Sequence, residues 1–133
     1  MNMINTYEAY LNHSAGSILT VEEALRIYEK MAAGITLCTL EDKMDFWNDC
    51  LKKAAEYTKI RNDWETMTPG ERAAADRGRS IKHDAFIDAL NILSRIAGKE
   101  GADSSWRTEL GDDRKRIGDF ACFISYITGI SNR

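Results

Sequence analysis

Apolar residues recur along this chain at steps of three and four, the spacing that places side chains on one face of an α-helix. The longest such series runs from Leu40 to Met67 and predicts one long helix with a charged opposite face. A second series, Ile81–Ala97, is apolar around more than half of its circumference, so we expect neighbouring helices to cover it on several sides. A third, Ile117–Thr128, has two apolar sides. We expect the second and third helices to pair at the centre of the fold.

Two capping boxes mark the starts of helices. Thr20 followed by Glu23, and Thr68 followed by Glu71, each place a hydroxyl and a carboxylate where they can bond free amides of a first helical turn. Pro69 suits the first helical position, because the amide it lacks would be unpaired there in any case. These patterns predict helices that begin just after Thr20 and just after Thr68.

Glycines predict where helices end, bend or approach one another. We expect Gly34 to end the helix that follows Thr20. Gly78 lies in a stretch with few large apolar residues and predicts a bend, after which Ser80 caps a fresh helix. Gly118 costs about 1 kcal/mol of helix propensity relative to alanine. We therefore expect this position to allow another helix to pack closely against it.

Length and composition favour a single domain. The chain has 133 residues, of which 44% are hydrophobic and 29% charged, and this is enough to bury a core without disulfides or metals. It has one proline and no run of alternating β-branched residues, which argues against a sheet. We predict an all-α bundle of five or six helices over residues 1–133. Helical spacing at Met3–Leu11 predicts that residues 1–19 form a short helix or a docked arm.

Charge and cysteine content exclude several classes of protein. The formal net charge is −3, whereas nucleic-acid-binding proteins typically carry a net positive charge. We find no signal peptide and no stretch near the ~20 apolar residues of a membrane span. Cys38, Cys50 and Cys122 are an odd, widely spaced set that predicts buried thiols rather than disulfides or a metal site. We expect a cytoplasmic protein without a cofactor and without membrane contact.

Charged and aromatic residues concentrate just before the last helix and in its first turn. Arginine side chains bind phosphate in a bidentate way, and a tryptophan can stack on a base. The alternative is a charged collar around a buried helix, in which Asp119 pairs with Lys115 or Arg116. We predict a partner-binding surface in this region, and we expect two arginines from the preceding part of the chain to lie beside it. The surface comprises Trp106, Arg107, Asp112, Asp113, Arg114, Lys115, Arg116, Arg77 and Arg79. In either case Asp112 or Asp113 is expected to cap the last helix.

A second set of polar residues predicts a different chemistry. Asp84 and Asp88 lie one helical turn apart and can share a divalent cation, with His83 as a further ligand or a general base. A metal-dependent nucleotide hydrolase is therefore one alternative function. The structural alternative is a polar seam in which Asn91 and Arg95 neutralise the two carboxylates.

Two stretches, HDAFIDALNILSR and WRTELGDDRKRIGDFACF, resemble the C-terminal half of a family of uncharacterised bacterial and phage-associated small helical proteins, a domain of unknown function. The resemblance covers Lys82–Phe123. It implies a bacterial or mobile-element protein and implies no activity.

The chain contains no Gly-x-Ser-x-Gly, His-Glu-x-x-His or glycine-rich phosphate-binding motif. We therefore favour a small non-enzymatic interaction or regulatory protein whose partner is another protein. A phage or mobile-element inhibitor of a host nucleic-acid enzyme would fit the size and the acidity. Apart from the hydrolase, the alternatives are phosphate or nucleic-acid binding through Arg107, Arg114 and Arg116, and a homodimer formed through the small residues of the last helix.

Overall fold

Helices make up most of the described chain, which comprises residues 18–64, 66–99 and 101–129 of a computed structural model. The five helices of this part are α1 (Val21–Leu37), α2 (Lys43–Trp64), α3 (Pro69–Lys99), α4 (Ser105–Leu110) and α5 (Arg114–Thr128). No described residue lies in a strand. The prediction of an all-α bundle is confirmed. The predicted helix or arm at the N-terminus lies outside the described residues, apart from its last two positions.

Helix α1 begins as its capping box predicts but ends later than expected. The Glu23 amide donates to Thr20 Oγ1 at 3.1 Å, and the Thr20 amide donates to Glu23 Oε1 at 3.4 Å. The prediction that Gly34 ends this helix is wrong, because the helix continues to Leu37. Gly34 is buried, and a Cβ atom at this position would lie 3.3 Å from the Cβ of Ala97 on α3. This glycine serves close helix packing instead of helix termination.

Helices α2 and α3 are joined by a short turn at the predicted second capping box. The Thr68 amide donates to Glu71 Oε1 at 2.8 Å, and the Glu71 amide donates to Thr68 Oγ1 at 3.1 Å. The predicted bend at Gly78 with a cap at Ser80 is wrong, because α3 is continuous from Pro69 to Lys99. Gly78 lacks the positive φ that a break would favour.

Contacts with α2 explain why α3 stays helical past Gly78. The Lys82 Nζ atom lies 2.8 Å from a carboxylate oxygen of Glu56, and the guanidinium of Arg79 lies over the ring of Trp64. These contacts hold the N-terminal half of α3, which has few large apolar residues, against α2. Tertiary packing thereby outweighs the roughly 1 kcal/mol that a glycine costs inside a helix.

Helix α5 supplies the centre of the core. Every residue from Ile117 to Ser125 is buried, and the helix is capped by Asp113, whose carboxylate accepts from the Arg116 amide at 3.0 Å. The cap predicted at Asp112 or Asp113 is therefore confirmed for Asp113. Large side chains of α3 and α5 fill much of one hydrophobic core, among them Phe86, Leu90, Leu93, Phe120, Phe123 and Ile124.

Helix α2 packs extensively against both α3 and α5, whereas α3 and α5 contact each other much less. The contact with α5 runs over Gly118, where a Cβ atom would lie 2.8 Å from Tyr57 Oη and 3.1 Å from Arg61 Nη1. The predicted close approach at Gly118 is confirmed, and its partner is α2. Helices α3 and α5 meet instead through large rings, with the centroids of Phe86 and Phe120 6.5 Å apart.

Candidate functional site: a basic cleft between α2, α3 and α5

A cleft of about 680 Å³ lies where the C-terminal half of α2, the middle of α3 and the first turn of α5 meet. Four of its side chains are cations, and the described residues that line it include no carboxylate. We call it the basic cleft and define it by Tyr57, Arg61, Trp64, Arg79, Ser80, His83, Arg114 and Lys115.

An ion pair holds Arg61 at this cleft. Its Nη2 atom lies 2.7 Å from Oδ1 of Asp119, a fully buried residue of α5. The other carboxylate oxygen of Asp119 accepts from the backbone amides of Ile18 and Leu19 at 2.9 and 3.2 Å. Because these bonds satisfy the buried carboxylate from two directions, Asp119 is a fixed support for the Arg61 side chain.

Two other arginines reach the cleft from supports of their own. The guanidinium carbon of Arg79 lies 4.5 Å from the ring centroid of Trp64, a cation–π contact. Arg114 Nη1 donates to Asp84 Oδ1 at 3.1 Å, and both side chains are more than half exposed. The exposed pair contributes little stability, since water screens it. Arg114 can therefore exchange this partner for another anion at small cost.

His83 forms part of the cleft wall and links α3 to α5. The carbonyl oxygen of Arg114 accepts from His83 at 2.8 Å, which assigns the proton of the neutral ring to Nε2. Burial lowers the pKa of His83 below 6.5, and the hydrogen bond to the Arg114 carbonyl opposes this shift. The imidazole is therefore neutral at neutral pH. Its Nδ1 atom is buried and has no hydrogen-bond partner among the described residues.

The predicted cluster of Arg107, Arg114 and Arg116 is divided in the structure. Arg107 donates to Asn91 Oδ1 and to the Gly111 carbonyl oxygen, each at 2.7 Å, and it pairs with Asp112 at 2.9 Å. These bonds tie α4 to α3. Arg107 thus has a structural role, as the collar alternative anticipated.

Arg116 is also engaged by the fold. It donates from Nε to the Leu110 carbonyl oxygen at 2.8 Å and pairs with Glu23 of α1 at 3.1 Å. The expected pairing of Asp119 with Lys115 or Arg116 is wrong, because Asp119 faces Arg61. Of the three arginines in the predicted cluster, only Arg114 lines the basic cleft.

The remaining predicted partner-binding residues lie in four different places. Trp106 is 1% exposed and lies in the core, so the prediction that it stacks on a base is incompatible with this structure. Asp113 caps α5, as described above. Arg79 and Lys115 line the cleft, whereas Arg77 is exposed on α3 and does not line it.

The set predicted for a metal ion does not come together as a ligand group. Within the described residues, no three His, Cys, Asp or Glu side chains are placed to hold a metal ion. Asp84 is engaged with Arg114, Asp88 is exposed, and Nε2 of His83 bonds to a backbone carbonyl. The metal-dependent hydrolase therefore gains no geometric support from these residues.

Four cleft residues were absent from the predicted sites, namely Tyr57, Arg61, Trp64 and Ser80. The apolar series of the long helix assigned Tyr57 and Trp64 to its buried face. Arg61 follows Tyr57 by four positions and precedes Trp64 by three, so the same helical periodicity puts it on that face. An arginine in the middle of an apolar face was the sequence signal for this site.

No family model, no curated protein and no solved structure matches the chain. The resemblance of residues 82–123 to bacterial and phage-associated helical proteins stays a prediction. Within the described residues, no helix combines the length and the apolar character needed to cross a membrane.

Proposed function

We propose that this protein is a non-enzymatic binding protein whose basic cleft takes a phosphate group carried by a small organic ligand. One observation carries the proposal: Arg61, Arg79, Arg114 and Lys115 converge on one cleft whose described lining contains no carboxylate. Arginine forks bind phosphate oxygens through paired, charge-assisted hydrogen bonds. The chain as a whole carries a formal charge of −3, so this local reversal of sign needs a specific reason.

The supports behind the arginines favour binding. Asp119 holds Arg61, and the ring of Trp64 holds Arg79. A side chain that is already ordered loses less conformational entropy when a ligand arrives, so more of the interaction energy appears as affinity. Asp76, Asp84 and Asp119 each neutralise one arginine in part. A ligand with a single phosphate group therefore fits the remaining charge better than a polyanion.

The size of the cleft favours a small ligand over a nucleic-acid strand. A volume of about 680 Å³ lies within the range of roughly 300–1,000 Å³ that small-molecule sites occupy. A strand would need a continuous positive track for successive phosphates. Arg107 and Arg116 would extend such a track along α4 and α5, but both are engaged by internal partners.

Isothermal titration calorimetry tests this function with inorganic phosphate, a nucleoside monophosphate and a single-stranded oligonucleotide as probes. We expect the monophosphate to bind, and Arg114→Ala/Lys115→Ala to weaken binding about tenfold or more. Arg77→Ala is the matched control, because Arg77 is an exposed arginine of α3 outside the cleft. It should bind like the unaltered protein.

Three results would contradict the proposal. The first is that none of the three probes binds to the protein. The second is an equal loss of affinity in Arg77→Ala and in Arg114→Ala/Lys115→Ala. The third is binding of the oligonucleotide alone, which would assign the surface to a strand and not to a small ligand.

We propose a cytoplasmic location for this binding protein. Cys38, Cys50 and Cys122 are free and buried, which supports a reducing compartment. A regulatory role, such as inhibition of a host nucleic-acid enzyme by a mobile-element protein, is compatible with a cleft that senses a phosphorylated ligand.

A further inference from the structure

Exposed apolar side chains concentrate at the corner between α1 and α2. Leu37, Leu40 and Met44 are 69%, 38% and 49% exposed. They are three of the five large apolar residues exposed in the described chain, and they fall within eight consecutive positions. Single exposed apolar residues need no explanation, whereas a concentration of them marks an interaction surface.

Lys43 links the two sides of the corner through hydrogen bonds. Its Nζ atom donates to the carbonyl oxygens of Thr36 and Cys38 at 3.1 and 2.8 Å, at the end of α1. The Lys43 amide also bonds to the Leu40 carbonyl oxygen at 3.3 Å. These bonds order the backbone that carries the apolar residues before any partner arrives, which lowers the entropy cost of association.

Carboxylates surround the same residues. Glu41, Asp42 and Asp45 are exposed, and the ion pairs of the described chain include none of them. The only lysine of this stretch, Lys43, already uses its ammonium group on backbone carbonyls. The ammonium keeps its charge, so the corner joins apolar surface to a net negative charge of three carboxylates against one lysine.

We propose that this acidic corner, defined by residues 37–45, binds a protein segment in which apolar side chains are flanked by lysine or arginine. Charge complementarity selects this partner, since basic side chains at the rim would meet Glu41, Asp42 and Asp45. An anionic membrane surface is disfavoured, because the same carboxylates would be repelled by the lipid headgroups. The proposal is independent of the basic cleft.

Fluorescence anisotropy tests the acidic corner with a labelled helical peptide of about 15 residues, built from leucine and lysine at helical spacing. A second peptide with glutamate in place of lysine is the control for charge. We expect the lysine peptide to bind, with an affinity that falls as salt rises to about 0.3 M. The glutamate peptide should not bind.

Two sets of variants locate the binding. Leu37→Ser/Met44→Ser should weaken the lysine peptide about tenfold or more. Ile81→Ser, which alters a similarly exposed residue of α3, should leave the affinity unchanged. Glu41→Gln/Asp42→Asn/Asp45→Asn should weaken binding and flatten its salt dependence. Circular dichroism verifies that each variant keeps its helices.

The inference is overturned if Leu37→Ser/Met44→Ser binds the lysine peptide as the unaltered protein does, or if both peptides bind equally. It is also overturned if the unaltered protein self-associates on a sizing column and Leu37→Ser/Met44→Ser does not, because the corner would then be covered by a second copy of the chain. Loss of phosphate binding at the basic cleft would leave the inference intact, since the cleft is lined by other residues.

Discussion

Arg61 of α2 and Asp119 of α5 form an ion pair in which Nη2 and Oδ1 lie 2.7 Å apart. The carboxylate is fully buried and also accepts from the amides of Ile18 and Leu19, which precede α1. One side chain thus joins α2, α5 and the chain before α1, while the guanidinium it holds lines the basic cleft. The stability of the fold and the geometry of the candidate site depend on the same pair.

Removing the buried carboxylate should destabilise the protein strongly. We expect Asp119→Ala to lower the free energy of unfolding by about 3–5 kcal/mol, because it leaves a partly buried guanidinium and two amides without their acceptor. Asp119→Asn should cost less, since the amide oxygen can still accept. Urea denaturation monitored by circular dichroism measures both values.

Asp84→Asn is the control for this ion pair. It alters the exposed pair between Asp84 and Arg114, and we expect a change below about 1 kcal/mol. Equal effects of Asp119→Ala and Asp84→Asn would contradict the view that Asp119 is a buried support.

Two glycine positions should respond in opposite ways to alanine. Gly118→Ala should destabilise by about 1 kcal/mol or more, since a Cβ atom would lie 2.8 Å from the hydroxyl of the buried Tyr57. Gly78→Ala should stabilise by roughly 0.5–1 kcal/mol, because a Cβ there would meet no atom within 4 Å apart from the adjacent residues and the nearby backbone of α3 itself.

Denaturation of the two variants and of the unaltered protein measures these changes. Tyr57→Phe should recover part of the loss in Gly118→Ala, because it removes the hydroxyl that meets the new methyl group. A stabilised Gly118→Ala would mean that α2 and α5 do not approach closely. If Gly78→Ala were destabilised, the result would favour the bend that the sequence predicted at this position over a continuous helix.

His83 should make stability depend on pH. Burial lowers the pKa of His83 in the folded protein below its ordinary value of 6.5. The unfolded chain therefore binds the proton more tightly. The contribution of His83 is complete above pH 6.5 and is lost as the pH falls below that value towards the folded pKa.

We expect the unfolding free energy of the unaltered protein to fall between about pH 7.5 and 5.5, by at most ~1.4 kcal/mol per pH unit from this group. His83→Gln should show a flatter profile over the same interval, because the two proteins differ only at this residue. Urea denaturation at several pH values measures both curves. Parallel curves would mean that His83 does not titrate differently in the folded and unfolded states.

The cysteine thiols should be inert in the folded protein. Burial raises the pKa of Cys50 to about 12, and it also raises the pKa of Cys122. Because the thiolate is the reactive form, a disulfide reagent should label Cys50 only as fast as the protein unfolds. In the variant Cys38→Ala/Cys122→Ala the thiol of Cys50 is the only one left. The rate at which Cys50 is labelled in urea should follow the rate at which this variant unfolds. Rapid labelling without denaturant would show that Cys50 is accessible.

Local chemistry accounts for most of what could be predicted. The capping boxes at Thr20 and Thr68 and the cap at Asp113 depend on side chains and amides a few residues apart, so they can be predicted from the sequence. The role of Gly118 was predictable for a related reason, since a glycine inside a helix needs a compensating contact. Its partner, Tyr57, was not predictable, because the two lie on different helices.

The candidate site was predicted only in part, because long-range contacts distribute the charged residues. Arg107, Arg114 and Arg116 are neighbours in the chain, yet Arg107 bonds to α3, Arg116 bonds to α1 and only Arg114 enters the cleft. Trp106 reads as an exposed aromatic beside charges but fills the core. Whether such a side chain is exposed depends on which distant residues pack against it, and the local sequence does not show which residues these are.

The sequence by itself determined that this protein is helical and where three of its helices begin, since periodicity and capping are properties of neighbouring residues. Only the tertiary structure decided that Gly34 and Gly78 lie inside continuous helices, that Asp119 belongs to Arg61 and that four cations meet in one cleft. These outcomes depend on pairs of residues far apart in the chain, and their energies exist only once the helices have packed.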